Sequence, residues 1–426
     1  MTSLFYVRDY IDKANCDSEA IERCMADAKR ALGEKTVIFD KKDFFIDRAI
    51  LLPSDTTVMI DSCTIKQNDC VYDNVFRGDN LLLSGIDPHG IPIDVTPIRN
   101  IKIIGKGNAK IIGTDKPQIG YHPFFKEYQA MNGDFWGWRT LMFSFSNAKG
   151  IEIAGLKLRQ TMCWAISFDN CQYCHVHDLD IRSNVKNGDG IDFRSGCNHC
   201  LVENITGFTS DDTVACTALS RGKRERVLSK YLSSLEPYNA SHENIGGDVH
   251  HITIRGIKTG GYHHGAICLA AFGNNVHTIE IEDVRETDEG ERSATVMVYT
   301  GYGDGYHAGD IHDIEIKNIK TGGYHHGAIC LSAWGNKVYN ISISDFYETD
   351  EGKRESTVKI YTGYGDEYKN GDIHHVKLDN IHSRIAKYAV QVMCDVEHLE
   401  AENIFSNNDN KSEQQADSLP RKAAEK

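Results

Sequence analysis

The sequence predicts an all-β fold, a single right-handed parallel β-helix (solenoid) closed by an N-terminal capping helix. Three observations carry that prediction. A long segment is repeated in tandem, a short Ile-x-Ile motif recurs within and before it, and strand patterns run along the chain with almost no helical periodicity. The tandem segment begins at Thr259 as TGGYHHGAICLAAFG and again at Thr321 as TGGYHHGAICLSAWG, 62 residues on. The likeness between 259–320 and 321–382 marks a duplication.

Each copy holds two shorter units. A small or polar residue is followed by Val or Ile, two variable residues and Ile-x-Ile. The units read DVHHITI at 248, NVHTIEI at 275, DIHDIEI at 310, KVYNISI at 337 and DIHHVKL at 372, with NAKGIEI at 147 and IRNIKI at 98 upstream. The inward residues Ile252, Ile279, Ile314, Ile341 and Val376 are spaced 27, 35, 27 and 35 residues apart, so one copy holds two rungs. Second apolar strands accompany them: WAISF at 164, GIDF at 190, TVAC at 213, AICL at 266, TVMVY at 295 and TVKIY at 357. Repeats too small to bury a face alone must stack on their neighbours. A parallel β-helix does this with equivalent residues about 4.8 Å apart. A compact β-sandwich would not produce regular rungs.

The ends and interruptions follow. DSEAIERCMADAKRAL has an Asp/Ser start and amphipathic spacing, which predicts a cap over about 17–32 covering the open end of the stack. The β-helix domain is expected over 1–406, with 407–426 a disordered polar tail. Two long inserts break the rungs. One at about 115–138 is aromatic, and Trp136 or Trp138 would serve there as a sugar platform or as part of a hydrophobic lid. The other, at about 220–247, is basic, with Arg221, Lys223, Arg224 and Arg226. Loops of this length on a regular solenoid are functional or disordered.

Bulk properties narrow the partners. Hydrophobic residues at 40% and charged ones at 25% are ordinary for a soluble globular protein. A formal charge of −14 argues against nucleic-acid or anionic-membrane partners, which need a basic face. It also counts against a polyanionic substrate, unless basic groups gather at the site. The start, MTSLFYVRDY, has no apolar signal region, and no segment has the roughly 18 apolar residues of a spanning helix. Thirteen cysteines, an odd number, fit reduced thiols in a cytoplasm better than a disulfide framework. Homo-oligomerisation stays open.

Two CxxC pairs, Cys171–Cys174 and Cys197–Cys200, imitate a zinc ribbon with 22 residues between them. In rung register, however, Cys174 and Cys200 take the place of Ile151 and Ile279, and Cys171 and Cys197 that of Ala148 and Val276. The gap then reads as a coil length and the thiols as small core hydrophobes. Neighbouring residues such as His263 and His264 lie in or beside strands and point to opposite faces, so no metal and no cofactor is expected.

The carboxylates are different. Aligned on the inward residues Ile166, Ile191 and Val214, the second strands place Trp164, Asp189 and Asp212 at one position, with Asp211 just beyond. Acids from adjacent rungs then meet at one mouth, where crowding leaves one protonated and another ionised. That is the equipment for glycosidic cleavage by acid and base. An Asp in a GDG or SDD turn also caps backbone groups, which is the bland account of either turn alone.

The run from RNIKIIGKGNAKIIG at Arg99, through NGDGIDF and SDDTVA, to HHGAICLAAFG and TVMVYTGYG resembles the polygalacturonase-like glycoside hydrolases of family 28, over roughly residues 1–400. That family lies in the pectate-lyase-like β-helix superfamily, and its signatures are NTD, DD, GHG and RIK. The resemblance implies Asp211 as general acid, Asp189 and Asp212 as activators of water, and His264, in HHG, as the group that orients them. Inversion implies carboxyl groups about 6.5–9.5 Å apart. The departure is at RIK, where Met297 and Tyr299 stand, while the second copy offers Lys359 and Tyr361. In the family these basic residues grip a uronate carboxylate, so Tyr299, Lys359, Arg221 and Arg224 are the candidates for that contact here.

The sequence thus points to a glycoside hydrolase acting on pectin-derived or related plant oligosaccharides or polysaccharides. A polysaccharide lyase or epimerase using a Lys, Arg or Tyr base, and a non-catalytic carbohydrate-binding β-helix, are the alternatives.

Overall fold

Segments such as Ala148–Ala154 (AKGIEIA) bury Ala148, Ile151 and Ile153 and leave Lys149 and Glu152 facing outward. One such strand cannot cover its own apolar row, and neighbours above and below do so. The computed structural model describes residues 2–426 apart from 72, 84–91, 117–118, 123–126, 131–140, 220–246, 302–308, 322–326, 350–351, 365–366, 369, 408–413 and 416–426. Within these, the chain alternates coil after coil between a sheet of 17 strands and one of 13. The pairings between coils are parallel, as in a right-handed parallel β-helix.

Ile252 pairs with Ile279, Ile279 with Ile314, Ile314 with Ile341 and Ile341 with Val376, a single inward row. The residue before each bends the strand: His251, Thr278, Asp313, Asn340 and His375 have φ between 53° and 56°. Asn, Asp and His are the non-glycine residues that best tolerate this left-handed region. Their side chains also join the coils, as where Asn340 Nδ2 donates to Asp313 Oδ1 at 2.9 Å. Inside, Phe145, Phe168 and Phe193 stack with centroids 6.1 and 5.3 Å apart.

All four CxxC thiols are buried in this core. Cys200 pairs with Ile252, and the adjacent pairs Glu152–His175 and His175–Leu201 place Cys174 between Ile151 and Cys200. The coil length there is 26 residues, from Cys174 to Cys200, and the step from Ile191 to Val214 in the second sheet is 23. The figure of 22 counts the residues between the pairs and is corrected as a coil length.

The helix Asp17–Arg30 buries Ala20, Ile21, Cys24, Met25 and Ala28 against the first coil. Asp17 and Glu19 in its first turn and Lys29 and Arg30 in its last complement its dipole. Asp17 also accepts a bond from the Phe45 amide at 2.8 Å, which pins the cap to the strand Phe44–Ile46. At the other end, Gln414–Gln415 pair with Gln391–Val392, a short strand within the stretch expected to be disordered. In the aromatic insert, Ile119–His122 and Glu127–Ala130 form an antiparallel hairpin. Trp136, Trp138, Arg221 and Arg224 lie outside the described residues. Among the described residues no helix is long and apolar enough to cross a membrane.

Candidate active site

The second sheet positions the acids by stacking the turns that precede its strands. The Ala165 amide donates to the Asp189 carbonyl, the Gly190 amide to the Asp212 carbonyl and the Thr213 amide to the Ala266 carbonyl, at 2.9, 2.9 and 3.0 Å. Asp189, Asp212 and Gly265 therefore lie one above another, just before Ile191–Arg194, Val214–Leu219 and Ile267–Phe272. Strand alternation has not begun at these positions, which explains how an acid two residues before an inward Ile or Val avoids the core. Gly190 is required by the stacking, since a Cβ there would come 2.5 Å from the Thr213 carbonyl oxygen.

Asp211, Asp212 and His264 come together as expected. His264 Nδ1 lies 3.2 Å from Asp211 Oδ1 and 3.9 Å from Asp212 Oδ2. The Gly265 amide donates to Asp212 Oδ1 and the Asp212 amide to Asp211 Oδ1, both at 3.1 Å. Bonding to Asp211, then to Asp212, pushes the imidazole up to about 11, against the lowering effect of its burial. The two carboxyl groups thus favour the charged form of the imidazole that faces them.

Asp189, Asp192, Asp211 and Asp212 are only 6%, 2%, 9% and 5% exposed, so four carboxyl groups share one poorly hydrated place. Burial, then the charges of Asp192, Asp211 and Asp212, hold the Asp189 carboxyl well above the ordinary range. Among the described residues its buried Oδ1 has no hydrogen-bond partner. Asp192 is raised by burial and by Asp212, while Arg194 opposes the shift. Burial and mutual repulsion thus favour the protonated form of Asp189 and Asp192, next to two carboxyl groups that face His264. Crowded acids with unlike environments are what acid–base chemistry needs together.

Two residues of this site escaped sequence reasoning. Asp192 follows Ile191 and points outward between Ser167 and Ala215, which period-2 alternation in GIDF signals. Arg292 is buried beneath the acid turn and donates from Nη1 to the Asp211 and Gly265 carbonyls at 3.1 and 2.6 Å. Its only sequence signal is a basic residue held in both copies, in DEGER and DEGKR.

The positions compared with RIK are not basic here. Tyr299 is buried with Ala215, Cys268 and Ala270, and Met297 packs against them, which makes an apolar patch running from the coil of Asp212 to two coils beyond it. Cys268 beside this patch is held far up by burial and then by the Asp212 charge. Lys359 lies in the row Met297–Cys330–Lys359, with its ammonium 3.7 Å from Glu355 and 5.5 Å from the Tyr361 ring centroid.

The ligand atoms of Asp211, Asp212 and His264 lie within 4.8 Å of one another, a grouping of metal-binding size and the only one among the described residues. The imidazole nitrogen of that grouping is Nδ1, which faces both carboxyl groups. No metal is assigned to the trio.

No family model matches the sequence, and no curated protein matches it. Solved structures do. The hyperthermoactive exopolygalacturonase of Thermotoga maritima covers 96% of this chain and 93% of its own, at 15% identity and a TM-score of 0.50. The polygalacturonase of Erwinia carotovora ssp. carotovora covers 93% and 94%, at 13% identity and 0.53. A surface protein and adhesin of Streptococcus pneumoniae covers 95% and 98%, at 10% identity and 0.51. The fold matches that of the polygalacturonase β-helices, and an adhesin shares it, so the fold alone does not assign the chemistry.

Proposed function

We propose that the chain is a glycoside hydrolase cleaving glycosidic bonds in pectin-derived or related plant oligosaccharides by inverting acid–base catalysis. The observation that carries this reading is the buried group of four carboxyls on adjacent coils, in which burial and the other three acids hold the Asp189 carboxyl up and Asp211 and Asp212 face His264. Asp211 would protonate the leaving oxygen, Asp189 and Asp212 would activate the water, and His264 would hold Asp211 and Asp212 in place. The raised Asp189 carboxyl supports a second assignment, in which Asp189 is the proton donor. Glycosides with strongly activated leaving groups separate the two, because they bypass the acid. Whichever of Asp189→Asn and Asp211→Asn they rescue is the acid variant.

Incubation with a panel of neutral and uronic oligosaccharides tests the function. Reducing ends without ultraviolet-absorbing unsaturated ends, lost in Asp211→Asn, are expected, with inverted anomers by NMR. Unsaturated ends would replace hydrolysis by lyase chemistry. Binding without turnover would favour a carbohydrate-binding β-helix, the reading that the adhesin's fold keeps in view. The Met297–Tyr299 patch supports a neutral sugar next to the scissile bond, and the panel decides that too.

A further inference from the structure

We infer that Arg292 is a positioning residue that locks the acid turn to the histidine turn of the candidate active site. The inference rests on the proposed function only for the word active; the lock itself stands on geometry. Arg292 is 1% exposed, among the largest fully buried side chains of the protein. Its Nη1 holds two backbone carbonyls from adjacent coils at once, those of Asp211 and of Gly265, the residue after His264. Its Nη2 donates to Thr209 Oγ1 at 2.8 Å, Thr213 Oγ1 at 3.0 Å and the Gly260 carbonyl at 2.6 Å. Both turns are therefore fastened to one rigid planar fork, which a lysine ammonium cannot reproduce. Thr209 Oγ1 in turn donates to the Asp211 carbonyl at 2.9 Å, so the fork fixes that turn twice.

A counter-charge anchors the fork from behind. Arg292 Nε lies 3.4 Å from Glu286 Oε1, and Glu286 Oε2 accepts bonds from Thr295 and Thr321 at 2.7 and 2.6 Å. Burial lowers the affinity of Arg292 for its proton, while Glu286, Asp212, Asp211 and Asp189 oppose that, so the guanidinium is electrostatically in touch with the acids. An arginine beneath a backbone turn is commonly a fold element and nothing more, and the protein carries its own control for that account. The same pair recurs 62 residues on as Arg354 and Glu348, with Nε 3.1 Å from Oε1 and both side chains fully buried. One coil before the second copy's strand the chain has Ser293 and Ala294, the register positions that Asp211 and Asp212 hold one coil before the first copy's strand. Arg354 thus keeps the buried ion pair, with Nη1 donating to the Thr321 carbonyl at 3.4 Å, at a place without those carboxylates.

The test compares Arg292→Met with Arg354→Met in the full chain, by NMR titration of the His264 imidazole and by thermal unfolding. Both variants are expected to lose stability. Only Arg292→Met is expected to bring the His264 titration down from near 11 toward the ordinary range around 6.5, because the imidazole no longer meets Asp211. Where a cleaved glycan has been found, kcat should fall about a hundredfold in Arg292→Met with KM little changed. A His264 titration that stays put in Arg292→Met, or that moves equally in both variants, overturns the inference. If Arg292→Met does not fold, Arg292→Lys is read the same way, since it keeps the charge and loses the fork. A wild-type protein that cleaves nothing would sink the proposed function, yet the His264 titration would still decide the role of Arg292.

Discussion

The two copies of the tandem repeat share 39 of their 62 residues, yet only the first borders a chemically loaded site. In the first, Gly265 follows the Asp212 register position, and its amide binds the Asp212 carboxylate. In the second, Gly327 follows Ala294, and no carboxylate occupies that position. The buried Arg–Glu pair is present in both. Fold-supporting parts therefore travelled with the duplicated segment, whereas the acids belong to the coils before it. A repeat unit in a solenoid acquires chemistry from its neighbour as much as from its own sequence, because each coil contacts mainly the coils on either side.

Experiments can break or sharpen this contrast. The largest effect is expected at the acid turn: Asp211→Asn should lower hydrolysis about 10²–10⁴-fold, measured as reducing ends, while Ser293→Ala in the second copy leaves it intact. Undiminished hydrolysis in Asp211→Asn would move the chemistry elsewhere. Next, Arg354→Met should cost about 3–5 kcal/mol in denaturant unfolding, because it strands Glu348 without its buried partner. Activity per folded molecule should be unchanged, and a marked loss would couple the second copy to the site.

A smaller effect of opposite sign is expected at Asp192. Its folded pKa lies above its unfolded value, so the native state binds the proton more tightly and is favoured at low pH. As pH rises from about 4 through the folded value, that advantage is lost and the buried charge becomes a penalty. Asp192→Asn removes the penalty, so the variant should be about 1–3 kcal/mol more stable than wild type near pH 7 and lose its advantage near pH 4. Equal stability at both pH values would mean that Arg194 fully compensates the charge. Smallest of all, Lys359→Met should change stability by less than about 1 kcal/mol, because its partner Glu355 is half exposed. A large rise in KM in that variant would restore Lys359 as a sugar-binding residue.

Much of the site was legible because coil register can be counted. Asp189, Asp212 and His264 sit beside motifs whose apolar residues announce their own alignment, and Asp211 is adjacent. Asp192 was also within reach, since alternation along GIDF places it opposite Ile191 and Phe193. Arg292 was not, because nothing in DEGER says that its guanidinium turns under a strand to reach carbonyls at Asp211 and Gly265. The coil length at the cysteines was misjudged for a related reason. Turns differ in length from coil to coil, and only strand pairing shows which residues are opposite.

By itself the sequence determined the repeating β-helix, the cap helix, the core cysteines and the candidate acids, all of which follow from the period of apolar residues and from turn residues at fixed offsets. Only the tertiary structure decided that four carboxyls share one buried place, that His264 faces Asp211 and Asp212, and that Arg292 fastens two coils from below. The physical reason is that periodicity encodes which face a residue occupies. Charge state and hydrogen bonding depend on what lies one coil away, and that distance is set by stacking rather than by sequence spacing.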